Sequence, residues 1–484
     1  MQNTLTSRKA WFGNIKGDLV SGIVVALALI PEAIAFAIIA GVDPMVGLYA
    51  SFLISVVIAF AGGRPGMISG ATGAMALVMV DLVAEWGVDY LLAATILTGV
   101  LQIIFGITKL ARLMKFIPRS VMVGFVNALA ILIFTAQLEH FEGANWVMYA
   151  MVIGALAIIY LFPLFTKAVP SPLIAIVVIT IIALMTNVNV LTVGDMGQIT
   201  QAFPSFLFPN VPFSFDTLMI IFPYSLALAI VGLVESLLTA SIVDEYTGTA
   251  SNKNREAGGQ GIANIITGFF GGMAGCAMIG QSVINVSSGG RGRLSSLTAG
   301  LVLISLIVFM GDIVSQIPVA ALVGVMVMVS IGTFDWGSIR TLKIVPLTDN
   351  LVMIVTVLTV VFTHNLAIGV LTGVLLSAIF FVAKISKVKV TKEFKYNRMH
   401  YTFQGEIFFA SVTELMDEFD YNTENAKEAV FDLTKARLWD DSAIAALDKI
   451  VSNLEQKRIN VYVVGLNQLS SELRAKLSRK LSAH

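Results

Sequence analysis

The chain is nearly devoid of cysteine and histidine. Its one thiol, Cys276, excludes an internal disulfide and a cysteine-built metal cluster. Four scattered histidines, His140, His364, His400 and His484, show no ligand spacing, so no metal site is expected. Charge is equally scarce: 13% of the 484 residues are Asp, Glu, Lys or Arg, against roughly 25% in an ordinary soluble domain. The 31 basic and 31 acidic residues balance, so nothing argues for a nucleic-acid partner. No nucleophile triad is visible, and the Gly-rich stretches lack the Lys-Ser or Lys-Thr ending of a nucleotide loop. ATP-driven work by this chain alone is excluded, no cofactor is expected, and an enzyme is the least expected class.

What the chain has in abundance is apolar sequence. Hydrophobic residues make up 57% and the mean hydropathy is +0.85, the signature of a polytopic membrane protein. A window of about 20 residues finds fourteen candidate segments, near 19–39, 44–61, 72–85, 91–110, 120–137, 147–165, 172–187, 217–242, 258–270, 279–287, 295–311, 317–332, 347–363 and 365–384. The third and tenth are too short to span a bilayer. The basic residues Arg64, Lys109, Arg112, Lys115, Arg119, Lys167, Lys253, Arg255, Arg291, Arg293, Arg340 and Lys343, and those from Lys384 onward, fall on alternate connections. The intervening connections carry neither Lys nor Arg. By the positive-inside rule this predicts an even number of spans with both termini cytoplasmic. The polar, basic stretch 1–16 precedes an apolar run without a small-residue cleavage site, so the first helix reads as retained.

Two breaks organise the apolar sequence. Gly62-Gly63-Arg64-Pro65-Gly66 runs into Ser69-Gly70-Ala71-Thr72-Gly73-Ala74, and Gly271-Gly272-Met273-Ala274-Gly275 runs into Gly280-Gln281-Ser282. Irregular backbone in a membrane is tolerated where it lines a cavity, and paired breaks in two halves point to a transporter's binding site. Two half-helix amino ends aimed at one spot suit an anion. Each half also carries a carboxylate in its first segment: Glu32 beside Pro31, and Glu235. Seven segments per half would insert the halves with opposite topology, an inverted repeat. An intramembrane carboxylate marks a pathway, a proton relay or a cation site by default, though a protonated acid bonded between helices is the plainer alternative. Thr239 follows Glu235 by one helical turn, so both share a face able to hold Na⁺ or pass a proton; bonding to its own helix's carbonyl is the equal alternative. Ser69, Thr72, Gln281, Ser282 and Asn285 could replace an oxyanion's water shell, and Gly70, Gly73 and Gly280 could allow close approach or simply tight helix packing. Cys276 reads as a small apolar residue. The polar run 244–260 reads as a loop entering a capped helix.

After the last apolar segment the composition turns soluble. A basic linker, 386–395, precedes strand-like 400–411, helical 412–419, strand-like 429–433, an amphipathic helix over 442–454, a strand over 460–466 and a basic helix over 470–482. That order predicts a small cytoplasmic α/β domain over 396–484, behind a transmembrane domain over 1–385 whose repeats occupy about 17–190 and 215–385.

Several of these stretches resemble the SulP family of inorganic anion transporters. Ile30-Pro31-Glu32-Ala33-Ile34-Ala35-Phe36-Ala37 with Gly47-Leu48-Tyr49-Ala50-Ser51-Phe52 is similar to that family's first-helix signature. Glu235-Ser236-Leu237-Leu238-Thr239-Ala240, Asn252-Lys253-Asn254-Arg255-Glu256 and Gly259-Gln260-Gly261-Ile262-Ala263-Asn264 match further motifs, and Leu438-Trp439-Asp440-Asp441-Ser442-Ala443 resembles the core of a STAS domain. The resemblance implies a homodimer of protomers with fourteen segments in seven-plus-seven inverted repeats, a core domain moving against a gate domain like an elevator, and a C-terminal STAS domain. It places the anion near Ala71, Thr72, Gly73 and Ala74 and near Gly280, Gln281 and Ser282, with Glu32 close by. It assigns the coupling ion, H⁺ or Na⁺, to Glu235 and Thr239, and makes Asp441 and Ser442 a possible regulatory site, with helix capping by Ser442 as the alternative. Many sulfate-type relatives carry a basic residue where this chain reads Gly280-Gln281-Ser282, which favours a lower-charge anion or one entering with a cation.

The expectation is a secondary active anion symporter of the inner or plasma membrane, with sulfate as the family default. A Na⁺-dependent bicarbonate carrier keeps the fold and changes the cargo; a nucleobase carrier does so by fold analogy alone. A membrane-anchored sensor signalling through the STAS domain is the rival of another class.

Overall fold

The computed structural model describes residues 8–109, 117–166, 170–186, 188, 190–422 and 426–481. Arg112, Lys115, Lys167 and His484 lie outside the described residues. The chain forms two compact units, Met1–Val374 and Leu375–His484.

The first half opens with a short helix, α1 (Arg8–Phe12), then α2 (Ile15–Ile39), α3 (Pro44–Ala61), a two-residue strand β1 (Ser69–Gly70), α4 (Gly73–Trp86), α5 (Val88–Ile107), α6 (Arg119–Leu138), α7 (Trp146–Leu161) and α8 (Ser171–Thr186). A connection containing α9 (Val193–Met196) leads to the second half. There follow α10 (Phe215–Thr247), α11 (Lys253–Phe269), β2 (Cys276–Ala277), α12 (Ile279–Ser287), α13 (Arg293–Ser315), α14 (Val319–Thr333), the short α15 (Trp336–Thr341), α16 (Leu347–Thr363) and α17 (Leu366–Ile385). Among the described residues nine helices are long and apolar enough to cross a membrane, with α8 and α16 shorter but apolar. The half-helices α4 and α12, with α11, bring the segments to fourteen, seven in each half.

Local chemistry sets the helix ends. Asp43 accepts from the Met45 amide at 2.8 Å and Pro44 occupies the first helical position of α3, a favoured start. Asn252 caps α11 through the Arg255 amide at 3.0 Å, so this helix begins at Lys253, earlier than apolar sequence alone suggests. Gly248, with φ 63, ends α10 in the left-handed region. Pro31 lies inside α2 without ending it.

The helix contacts repeat when each segment is exchanged for its counterpart in the other half. The pair α3 and α13 answers α5 and α11; α2 on α13 answers α10 on α5; α2 on α12 answers α10 on α4; α6 on α16 answers α14 on α7; and α6 on α14 maps onto itself. These contacts also sort the helices into a core group (α2–α5 and α10–α13) and a gate group (α6–α8, α14 and α16), and Gly369 and Gly373 of α17 pack against Val360 and Thr356 of α16. In the core, α5 and α11 touch backbone to backbone: a Cβ at Gly99 would stand 2.4 Å from the Gly261 carbonyl oxygen. Such small-residue contact is how helices associate without a hydrophobic drive.

The second unit contains a four-stranded sheet in the order β3 (Lys389–Lys395), β4 (Arg398–Ile407), β5 (Glu428–Leu438), β6 (Asn460–Val464). The first pair is antiparallel and the other two are parallel. Helices α18 (Val412–Glu418), α19 (Asp441–Gln456) and α20 (Gln468–Leu481) accompany it, and Tyr401, Phe403, Phe431, Ile444 and Leu447 are among its fully buried side chains. Most of the basic stretch 386–395 is thus an edge strand rather than a solvated linker. Its lysines blunt the open edge while Val390 packs on the core.

Candidate functional site

The two breaks meet. β1 and β2 pair antiparallel, with Ser69 opposite Ala277 and Gly70 opposite Cys276. Exposed polar backbone at this depth is costly, and neighbouring helices satisfy it. Ser55 donates to the Ser69 carbonyl at 2.6 Å and Ser51 accepts from the Ala71 amide at 3.1 Å. Ser236 accepts from the Ala277 amide at 3.1 Å. Asn264 clasps Gly275 from both sides, accepting from its amide at 2.9 Å and donating to its carbonyl at 3.0 Å. The crossing allows no side chain at Gly275, where a Cβ would stand 2.1 Å from the Gly70 carbonyl oxygen.

From this crossing α4 and α12 diverge, and their first turns line one cavity of about 430 Å³. Thr72 and Gly73 come from the first helix end, and Met278, Ile279, Gly280 and Gln281 from the second. Glu32 of α2 and Glu235 of α10 enter from the core side, while Phe125, Val126, Leu129 and Ile133 of α6 and Met328, Val329 and Thr333 of α14 close the gate side. Among the described residues no Lys, Arg or His lines it. Amides of a helix's first turn lack intrahelical acceptors, and each amino end carries about half a positive charge. These are the cavity's sources of positive potential.

Each carboxyl reaches across to the other half's helix end. Glu32, in the first half, lies beside the Gln281 side chain of α12 in the cavity wall. Glu235, in the second half, accepts from the Cys276 thiol at 2.9 Å and lies beside Thr72, the capping residue of α4. Thr72 and Cys276 in turn lie 3.2 Å apart. Both carboxyls are buried, with 9% and 7% of their residues' surfaces exposed.

The cavity therefore gathers Glu32, Thr72, Gly73, Gly280, Gln281 and Glu235. Ala71, Ala74, Ser282 and Thr239 are buried away from it. Ser282 turns to the opposite face of α12, where its hydroxyl accepts from the Ile68 amide at 3.0 Å. The Thr239 hydroxyl donates to the Glu235 carbonyl at 2.7 Å, one turn back on its own helix. Ser69 accepts from Gln260 at 2.7 Å, and Asn285 donates to the Gly66 carbonyl at 2.8 Å, so both brace the breaks. Gly70 and Gly73 are packed, whereas a Cβ at Gly280 would meet nothing within 4 Å.

Residue typing alone missed Cys276 as the partner of Glu235. Its place in the second break, opposite Gly70, was the available signal. The apolar wall from α6 and α14 had none. In the C-terminal unit, Asp440 rather than Ser442 caps α19, accepting from the Ala443 amide at 2.9 Å. The helix begins one residue earlier than the sequence pattern suggests, so Ser442 falls inside it and its amide donates to Asp441 at 3.0 Å.

Comparison with known proteins agrees with this architecture. The Sulfate permease family model matches residues 15–156 and 141–356, and the STAS domain model matches 389–478. The chain is 63% identical to the "Putative sulfate transporter YbaR" of Bacillus subtilis (strain 168), covering 98% of this chain and 99% of that protein. It is 30% identical to the "Bicarbonate transporter BicA" of Picosynechococcus, over 80% of this chain and 73% of that one. The solved transmembrane domain of a cyanobacterial BicA superposes with a TM-score of 0.67 at 27% identity, covering 75% of this chain and 98% of that one. SLC26A9 shares the fold alone, with a TM-score of 0.81 at 17% identity, covering 96% of this chain and 86% of that one. The chain is a multi-pass membrane protein with a C-terminal STAS domain, and it belongs to the sulfate permease family of anion transporters.

Proposed function

We propose that the chain is a secondary active symporter that binds an inorganic oxyanion between the amino ends of α4 and α12, with sulfate as cargo, and couples its movement to protons through Glu235. The observation that carries this reading is the convergence of both half-helix ends and both intramembrane carboxyls on one cavity between the core and gate groups. The amides of Gly73 and Gly280 and the side chains of Thr72 and Gln281 would replace the anion's hydration. Alternating access would follow from the core group sliding against the apolar wall of α6 and α14, carrying the cavity from one face to the other.

A proton is favoured over Na⁺ because the Cys276 thiol donates to the Glu235 carboxylate, in a place where a bound Na⁺ would need an oxygen ligand. Bicarbonate is the second reading, favoured by a cavity with no basic side chain among the described residues. The working form would be a homodimer in the cell's limiting membrane, with both termini and the STAS domain cytoplasmic, and Asp441 and Ser442 would be the place to look for regulation.

The test is uptake of radiolabelled sulfate and bicarbonate into proteoliposomes under an imposed proton or sodium gradient. Proton-driven sulfate uptake whose dependence on the proton gradient falls in Glu235→Gln is the expected result. Uptake driven by sodium, or indifferent to the substitution, would overturn the coupling assignment.

A further inference from the structure

We propose that Glu32 and Glu235 together stand in for the charge of a divalent oxyanion, so that two protons and one dianion move per cycle without net charge. The inference rests on the symport reading above and adds a second coupling residue and a stoichiometry to it.

The cavity is bounded by α2, α4, α6, α10, α12 and α14, and the ionisable side chains that line it are Glu32 and Glu235. Around them stand Thr72, Gln281, Thr333 and apolar groups, and among the described residues Cys276 is the one further titratable side chain hydrogen-bonded to either. Two helix amino ends supply together about one positive charge. A dianion alone leaves the cavity with a net charge of about minus one; either carboxylate beside it makes the deficit worse, in a medium where like charges repel far more than in water. The dianion is therefore accepted when both carboxyls are protonated.

The same two groups explain how the empty carrier returns. Once the anion and both protons leave, two carboxylates remain, with the Gln281 side chain beside Glu32 and the Cys276 thiol donating to Glu235, Thr72 next to it. The loaded core carries the two charges of the dianion and the empty core carries the two charges of the carboxylates. The moving group holds the same charge in both directions, so no charge crosses the membrane field. The balance is two carboxylates, two protons and one dianion bound on one side, with two protons and one dianion released on the other. The cross-half arrangement, each first-segment carboxyl set beside the other half's helix end, gives the two groups equivalent places about the pseudo-symmetry axis.

The experiment uses the full chain in proteoliposomes, with sulfate as probe, measuring its accumulation at static head under one unit of pH gradient while the voltage is clamped at several values. Two coupled protons give about 100-fold accumulation, independent of voltage; one gives about 10-fold at zero voltage and a value that changes with voltage, since each proton contributes one factor of ten per pH unit. Glu32→Gln is expected to lower the ratio to one and make uptake voltage-sensitive, because its empty core carries one charge and its loaded core two. A wild-type ratio of one, or a Glu32→Gln carrier that keeps two, would overturn the proposal and leave the symport reading standing. If proton-driven sulfate uptake is absent altogether, both fall. If Glu32→Gln gives no folded protein, the wild-type ratio and its voltage dependence decide the matter alone.

Discussion

The Cys276 thiol lies 2.9 Å from a carboxylate oxygen of Glu235, bringing the second break of the chain into direct contact with an intramembrane acid of α10. Because Cys276 is fully buried, the thiol serves as a donor and not as an exposed nucleophile. Replacing it with alanine removes a hydrogen bond to a charged group, a loss of about 2 kcal/mol, which corresponds to roughly thirtyfold in uptake rate if the ionised carboxylate takes part in the cycle. Cys276→Ser, which keeps a donor, is expected to recover most of that rate. Maleimide labelling of the folded protein should fail and become complete on denaturation. Labelling of the native protein would show that the break opens far more than the packed crossing suggests.

Two glycines of the second break should answer a methyl group in opposite ways. At Gly275 the added carbon would overlap the Gly70 carbonyl oxygen at 2.1 Å, and both strands there are pinned by side chains. Gly275→Ala should cost roughly 3 kcal/mol as the crossing is forced apart and give poorly expressed, inactive protein. At Gly280 there is open space, and alanine in a helix is intrinsically better than glycine by about 1 kcal/mol. Gly280→Ala should fold as well as the wild type while raising the apparent KM for the anion, because the methyl enters the cavity. Equal losses of folded protein for the two variants, read by size-exclusion chromatography, would contradict this.

How far the sequence could be read follows from what each feature depends on. The fourteen segments, the paired breaks and the two carboxyls are local: a run of apolar residues, a Gly-Gly, a Glu where a Leu would be cheaper. All appear in the structure near their expected places. The sharing of one cavity by Glu32 and Glu235 needed only the repeat, which the matching positions of the two breaks already suggested. Faces were harder. Ser282 and Gln281 are neighbours on a short helix, and α12's rotation, set by the packing of Val286 and Asn285 into the core, decides that Gln281 sees the cavity and Ser282 does not. Thr239 was ambiguous because a hydroxyl one turn after any residue can bond back to that residue's carbonyl. Residues 389–395 form a strand because β4 offers an edge, and that partner lies ahead in the chain.

Glu256 should behave as a fastening, unlike Glu235. It is fully buried, and one oxygen accepts from the amides of Gly63 and Arg64 at 2.7 and 3.0 Å, while the other accepts from Gln260 at 3.0 Å. Arg293, also buried, donates to the Ala59 and Gly62 carbonyls on the same turn at 2.8 and 2.7 Å. Glu256→Ala leaves two amides without an acceptor and the buried Arg293 without its nearby counter-charge, a loss of about 3–5 kcal/mol. Its melting temperature in detergent should drop well below that of Glu235→Gln. If both variants melt together, Glu256 does not hold the first break as its contacts indicate.

In the STAS domain the informative group is Tyr401. Its ring stacks on Phe419 with centroids 4.6 Å apart, and its hydroxyl donates to the Asp420 carbonyl at 2.8 Å. Burial, aided by the nearby Asp420 carboxylate, pushes the phenol up from 10 to about 12. The folded state therefore holds the neutral phenol more tightly than the unfolded chain does. Its contribution is complete below pH 10 and disappears as the pH rises through about 12. Tyr401→Phe keeps the ring but removes the hydroxyl, so stability at neutral pH should fall by about 1 kcal/mol and the alkaline loss between these values should become shallower. Hydrogen exchange at the β4 and β5 amides of the full chain, followed with pH, reads both effects. An alkaline limb unchanged by the substitution would place the titrating group elsewhere in the domain.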